Sequence, residues 1–183
     1  YAQTLEEYRK TYKNSFLNDE RAPLNQDDLQ NLDFYDADQN WVLKCQCILD
    51  KNSPVFEMPT YSGIKKPYRV YATALCPTAN KTITLRLYQS AQSMHPAAGS
   101  YLFLPFKDET NSETTYGGGR YINQSTHDIK DGTIIIDFNK AYNPWCAYSD
   151  GYNCPIPPKE NHLKVEIKAG EKQYLGTYKK HKK

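Results

Sequence analysis

From Trp41 onward the side chains alternate with a period of two. Trp41, Leu43, Cys45, Cys47 and Leu49 fall on one side, and Val42, Lys44, Gln46, Ile48 and Asp50 on the other. Successive residues of an extended chain point to opposite faces of a sheet, so this run predicts a strand with one mainly apolar face. Shorter runs of the same character recur at residues 55–58, 68–76, 82–88, 101–106, 119–123, 133–138 and 163–168. The last alternates cleanly, with Leu163, Val165 and Ile167 inward against Lys164, Glu166 and Lys168. Residues 133–138 carry the continuous Ile134-Ile135-Ile136, which predicts a strand covered on both sides. Lys130-Asp131-Gly132 is a hairpin signal just before it. Many short strands with turn punctuation predict a mainly β chain, a barrel-like or sandwich antiparallel sheet with one or two N-terminal helices.

The helices come first in the chain. Leu5, Tyr8, Tyr12 and Phe16 recur at helical spacing, with Glu6, Glu7, Arg9, Lys10 and Lys13 between them. A second short helix is expected after Pro23, with Asn25 as N-cap and Asp27 and Asp28 in its first turn. Residues 1–35 thus read as a helical segment packed on the β domain, and residues 1–183 as a single domain. Tyrosine, 16 of 183 residues, supplies rings that pack while their hydroxyls stay wet, offsetting a modest aliphatic content.

Charge and hydropathy exclude some partners. No apolar run is long enough for a membrane span. With 23 basic against 21 acidic residues the chain makes no case for nucleic acid. The basic tail at 178–183, with Lys179, Lys180, His181, Lys182 and Lys183, is expected to be disordered. The Tyr1-Ala2-Gln3-Thr4 start before a helix resembles what signal-peptide removal leaves, so a periplasmic or otherwise exported location is expected. Five cysteines suit that reading, and the odd number leaves one thiol unpaired within the chain.

The densest chemistry lies between residues 116 and 162. Gly117, Gly118 and Gly119 permit close backbone approach, and Arg120 beside them can grip an oxyanion bidentately, with Tyr116 and Tyr121 flanking. The alternative is a tight turn with Arg120 in a structural ion pair. A phosphate loop is not indicated, since its Lys-Ser/Thr and helix are missing. Asp137 and Asn139 share a strand face around Phe138, where they either order a ligand or tie down the next loop. Tyr142-Asn143-Pro144 reads as a turn. Cys146 and Cys154 flank a short loop and are the disulfide candidates; a catalytic cysteine has no supporting motif. Cys45 and Cys47 lie two apart on one face, where a mutual bridge is poor geometry; Cys76 can pair with one of them if its strand lies alongside. No metal site is predicted, and no cofactor can be named.

Several segments together resemble a known family. They are Tyr101-Leu102-Phe103-Leu104-Pro105-Phe106 with Asp108, Tyr116-Gly117-Gly118-Gly119-Arg120-Tyr121, Ile136-Asp137-Phe138-Asn139 through Tyr148, Cys154-Pro155 with Glu160-Asn161, and Ala169-Gly170-Glu171. The chain resembles the bacterial and archaeal family of unknown function DUF1684 over most of its length. The resemblance implies a shared centre at Arg120, Asp137, Asn139, Tyr142 and Asn143, with Asp108, Tyr116, Tyr148 and Glu160 as secondary members. The expected function is binding of a small anionic molecule in a polar pocket. Its walls would be the turn at Tyr116, Gly118, Gly119 and Arg120, the strand end at Asp137 and Asn139, and the loop from Tyr142 and Asn143. Two alternatives are a hydrolase with Asp137 or Glu160 as base, and a cell-envelope structural or interaction protein.

Overall fold

In the computed structural model, which describes residues 3–92 and 99–181, the strands form an antiparallel sheet curled into a half-barrel. They are β1 (Val42–Leu49), β2 (Phe56–Pro59), β3 (Lys65–Pro77), β4 (Thr82–Ser90), β5 (Tyr101–Phe106), β6 (Arg120–Ser125) and β7 (Thr133–Asp137). Their order across the sheet is β6-β5-β4-β3-β1-β7, with β2 paired to one end of β3. The alternation in β1 is realised: Leu43, Cys45 and Cys47 are buried, whereas Lys44, Gln46 and Ile48 are exposed. Gln46 stands opposite Leu75, which brings Cys45 against Cys76, and the two form a disulfide across the strands. Cys47 is a free, buried thiol.

Register divides the side chains into two cores. Leu43, Ala72, Ala74, Leu85, Leu104, Ile122, Ile134 and Ile136 fill the inner face, closed by Leu163, Ile167 and Ala169 from the C-terminal segment. The alanines of β3 leave room for that segment to cross. On the outer face Val70, Tyr88, Phe103 and Tyr121 pack with Met58 of β2.

Two seams interrupt the ladder. β4 and β5 meet in register only at Tyr88 and Phe103. Beyond that pair the side chain of Asn161 enters the gap. Its Nδ2 donates to the carbonyls of Arg86 (2.9 Å) and Pro105 (2.8 Å), and its Oδ1 accepts from the Arg86 N–H at 2.7 Å. Pro105 has no N–H to offer a neighbouring strand, so an amide side chain replaces the missing rung. At the other edge Tyr142 pairs with Tyr121 of β6 through both backbone bonds, and Gln124 Nε2 reaches the Ile135 carbonyl of β7. These contacts cover a strand edge that would otherwise invite pairing with another chain.

Helix α1 (Leu5–Ser15) begins at a capping box between Thr4 and Glu7. None of its residues is fully buried; it is held by the Tyr12 ring, packed on Phe34 and Tyr142, and by polar contacts: Tyr8 Oη donates to the Lys140 carbonyl at 3.0 Å and Arg9 to that of Tyr35 at 2.8 Å. Phe16, just past its end, enters a small core with Leu24, Leu29, Leu32 and Tyr148. The second helix is a 3-10 turn, Gln26–Asn31, capped by Asn25.

Three expectations need correction. Residues 163–168 alternate in burial as their pattern demands, but form no strand: Leu163 and Val165 make single backbone bonds to Lys107 and Glu109, and side chains take both backbone groups of Ile167. Ile135 is 49% exposed, so β7 is covered on one side only. Of the basic tail expected to be disordered, residues 178–181 lie against the fold. Lys179 pairs with Asp28 and forms a bridge with Ser149, and the His181 N–H bonds Asp150. Lys182 and Lys183 lie outside the described residues.

Replacing Asn161 by Ala strips three backbone groups of their partner in the interior. Asn161→Ala is expected to lower the unfolding free energy by about 3 kcal/mol in urea titrations. A loss of less than about 1 kcal/mol would mean that water takes over the seam.

Candidate functional site

Arg120 leads inward, not into a pocket. It opens β6 opposite Phe106, on the inner face of the sheet, and no part of it is exposed. Its Nη1 donates to the carbonyls of Ala169 and Glu171, and its Nη2 to that of Ile167 (3.0 Å) and to Asp108 Oδ1 (3.3 Å). The guanidinium lies over the Phe106 ring, 5.3 Å from its centroid. Asp108 Oδ2 in turn accepts from the Ile167 N–H and the Thr110 hydroxyl, both at 2.8 Å. The expected oxyanion grip is corrected to a fold-holding one: the oxygens it grips are the chain's own carbonyls.

The triple glycine serves the same packing. Gly119 has φ +91°, and a Cβ there would stand 2.6 Å from the Phe106 carbonyl oxygen. At Gly118 a Cβ would meet the Tyr116 ring at 2.3 Å, and the Gly118 carbonyl accepts from Tyr61 Oη at 2.8 Å. Tyr116, Gly118 and Gly119 therefore form a closed turn rather than a cradle for a ligand.

Asn143 belongs to a buried centre that the sequence reading did not assemble. Its backbone N–H donates to Glu171 Oε2 at 2.8 Å, and its side chain donates to the Lys172 carbonyl. Tyr12 Oη of α1 donates to the same Oε2 at 2.8 Å, and Tyr148 Oη donates to Oε1. Glu171 is fully buried. Burial pushes its carboxyl up to about 7, while Tyr148, the Asn143 N–H, Tyr12 and Arg120 all pull it back. One carboxyl thus ties together the N-terminal helix, the loop after β7 and the C-terminal segment.

Asp137 and Asn139 lie elsewhere and are bonded by protein groups, although Asp137 also lines an opening of about 390 Å³ with Asp128, Lys130 and Lys140. Asp137 Oδ1 accepts from the Asn139 N–H (3.0 Å) and Nδ2 (2.9 Å). Asn139 in turn bonds both backbone groups of Asp38, the donor and the carbonyl, at 2.9 Å each. Together they fasten the end of β7 to the segment leading into β1. That arrangement leaves Asp137 as a turn cap instead of a base.

Tyr142 faces a different opening. On the outer face a cleft of about 400 Å³ is lined by Lys66, Tyr121, Tyr142, Trp145, Tyr152 and Pro155, with Asn143 at its base. The Tyr121 and Tyr142 rings meet edge to face at 5.9 Å, and those of Trp145 and Tyr152 at 5.1 Å. Tyr121 Oη donates to the Pro155 carbonyl, and the Cys146–Cys154 disulfide, next to Trp145, closes the loop that carries Tyr152. Lys66 is half-buried, its ammonium has no ion-pair partner among the described residues, and burial pulls its pKa down. No sequence motif marks Lys66; only the fold places it among the rings. Among the described residues no three His, Cys, Asp or Glu side chains converge as a metal site, and no helix is long and apolar enough to cross a membrane.

The family model described as "Protein of unknown function (DUF1684)" matches residues 27–172. The solution NMR structure of an uncharacterized protein from gene locus rrnAC0354 of Haloarcula marismortui is similar to this chain. The two are 28% identical, with a TM-score of 0.72 over 92% of this chain and 91% of that one. No curated protein matches the chain.

Two outcomes follow from the buried groups. Arg120→Met leaves Asp108 charged and unpaired, and should cost about 3–5 kcal/mol in denaturant unfolding; adding Asp108→Asn should restore part of that loss. An unchanged midpoint in the single variant would sink the structural role. For Glu171 the folded pKa lies above the ordinary value of 4.5, so the protonated form favours the fold. Its contribution is complete below about pH 4.5 and disappears as pH rises through about 7, a loss of about 3 kcal/mol. In Glu171→Gln the fall in stability over that window should vanish, measured as the difference between the two proteins' urea midpoints across pH.

Proposed function

The chain belongs to the DUF1684 family of proteins of unknown function, and we propose that it binds a small ring-bearing anion in the cleft at Lys66, Tyr142 and Trp145. The observation that carries this reading is the half-buried Lys66 ammonium with no counter-ion among the described residues. A partly desolvated cation gains most from an anion that brings hydrogen-bond acceptors with it, such as a carboxylate, sulfate or phosphate. The surrounding rings supply flat apolar walls for a ligand ring, and the volume suits a small molecule. The anion expected at Arg120 is thereby moved to a lysine on the opposite face.

Binding is favoured over hydrolysis by what the cleft lacks. Neither Asp137 nor Glu160, the bases expected of a hydrolase, is among its lining residues, and no other carboxylate, histidine or free thiol takes their place there. The two disulfides, Cys45–Cys76 and Cys146–Cys154, support an oxidising, exported location, where such bonds persist.

The test uses Trp145 as reporter in a Trp41→Phe background, titrated with phenyl phosphate, inorganic phosphate and phenol. Saturable quenching is expected with phenyl phosphate and weaker responses with either half alone. Lys66→Ala should weaken phenyl phosphate about tenfold, the worth of one charge-assisted bond. Equal binding of phenol and phenyl phosphate, or indifference to Lys66→Ala, would remove the anion from the reading.

A further inference from the structure

A separate cavity of about 330 Å³ opens on the outer face, away from Lys66. Its walls combine apolar groups, Phe56, Val70 and Pro158, with Asp50, Arg86, Tyr88 and Glu160. Tyr88 is 1% exposed, its ring packed edge to face on Phe56 at 5.7 Å, yet its hydroxyl bonds no group among the described residues. A phenol buried to that degree and turned into a cavity has a donor and an acceptor to offer whatever enters.

The charged groups around it are held in place by the fold. Arg86 and Tyr88 are two apart on β4 and project on the same face. Glu160 sits in the 3-10 turn Lys159–Asn161, whose Asn161 is fixed by three hydrogen bonds in the seam beside Arg86. The seam thus sets Glu160 against Arg86, with Nη1 and Oε1 3.5 Å apart. That single contact is long, and both side chains are about half exposed, so each retains unused hydrogen-bonding capacity. Asp50 adds a second carboxylate that has no ion-pair partner among the described residues.

We propose that this cavity binds a polyhydroxylated small molecule, a sugar or cyclic polyol. Hydroxyls both donate and accept, so neighbouring ones satisfy a carboxylate and a guanidinium in the same site. A simple cation would be opposed by Arg86, and a simple anion by Asp50 and Glu160. Phe56, Val70 and Pro158 suit the C–H face of a saturated ring, and the volume lies at the small end for ligand pockets. The site shares no lining residue with the Lys66 cleft, so the two readings stand or fall separately.

The experiment is a nitrogen–proton NMR titration with a panel of pentoses, hexoses, N-acetylhexosamines, myo-inositol and one disaccharide. Tetramethylammonium and acetate serve as controls. At least one polyol is expected to give saturable shifts at Thr73, Tyr88 and the Arg86 Nε–H, while both control ions leave them unmoved. Tyr88→Phe should weaken that binding about fivefold and Glu160→Gln about tenfold, with the rest of each spectrum unchanged. Three results would overturn the proposal: no saturable shift from any polyol, equal shifts from tetramethylammonium or acetate, or wild-type affinity in Tyr88→Phe.

Discussion

The buried guanidinium of Arg120 is the interaction on which the rest of this structure depends. The C-terminal segment closes the inner face of the half-barrel through isolated backbone bridges only, so the carbonyls of Ile167, Ala169 and Glu171 need donors from elsewhere. Arg120 supplies them to Ile167, Ala169 and Glu171, while Asp108 balances its charge and takes the Ile167 N–H. An arginine suits this task better than a lysine, because its planar fork presents several donors at fixed angles. With the segment seated, Glu171 comes to rest where Tyr12, Tyr148 and Asn143 converge. The N-terminal helix, which buries no residue of its own, is therefore anchored through a chain of polar contacts that starts at Arg120.

Side chains do the work of backbone at several other places. Asn161 replaces a ladder rung between β4 and β5, Gln124 reaches from β6 to β7, and Asn139 bonds both backbone groups of Asp38. A half-barrel has edges and seams that a closed barrel lacks, and each leaves donors or acceptors to be met. Much of the polar density between residues 116 and 162 is spent in this way.

That use explains what could and could not be read from the sequence. The strands were legible because alternation is a local property, and so was the first helix. The turn at Lys130-Asp131-Gly132 was legible as well, since Asp131 and Gly132 both take positive φ. Arg120 was legible only as a group that grips oxygens. Whether those oxygens belong to a ligand or to Ile167, Ala169 and Glu171 depends on where residues much later in the chain fall. The same ambiguity covers Asp137 and Asn139. At 163–168 the alternation described the burial correctly, but could not say that isolated bridges to Lys107 and Glu109 and the side chains of Arg120 and Asp108 would stand in for a full partner strand. Lys66 and Tyr88 escaped for the opposite reason: each matters because it lacks a partner, and a missing contact leaves no trace in a sequence.

The packing also decides which face can carry function. The inner face is filled by Leu43, Leu85, Ile134 and their neighbours and closed by Leu163, Ile167 and Ala169. The outer face is packed by rings instead. Tyr88, Phe103 and Tyr121 bury their bodies against Met58 and Val70, and the Tyr88 hydroxyl ends in the cavity beside Arg86 and Glu160. Tyrosine suits such a surface because one side chain supplies both core and polar lining. A chain with few aliphatics and many tyrosines can thus build a wall that is part of the fold on one side and polar on the other. The amphipathic ring allows a thin sheet to keep its interior packed and still turn polar groups outward.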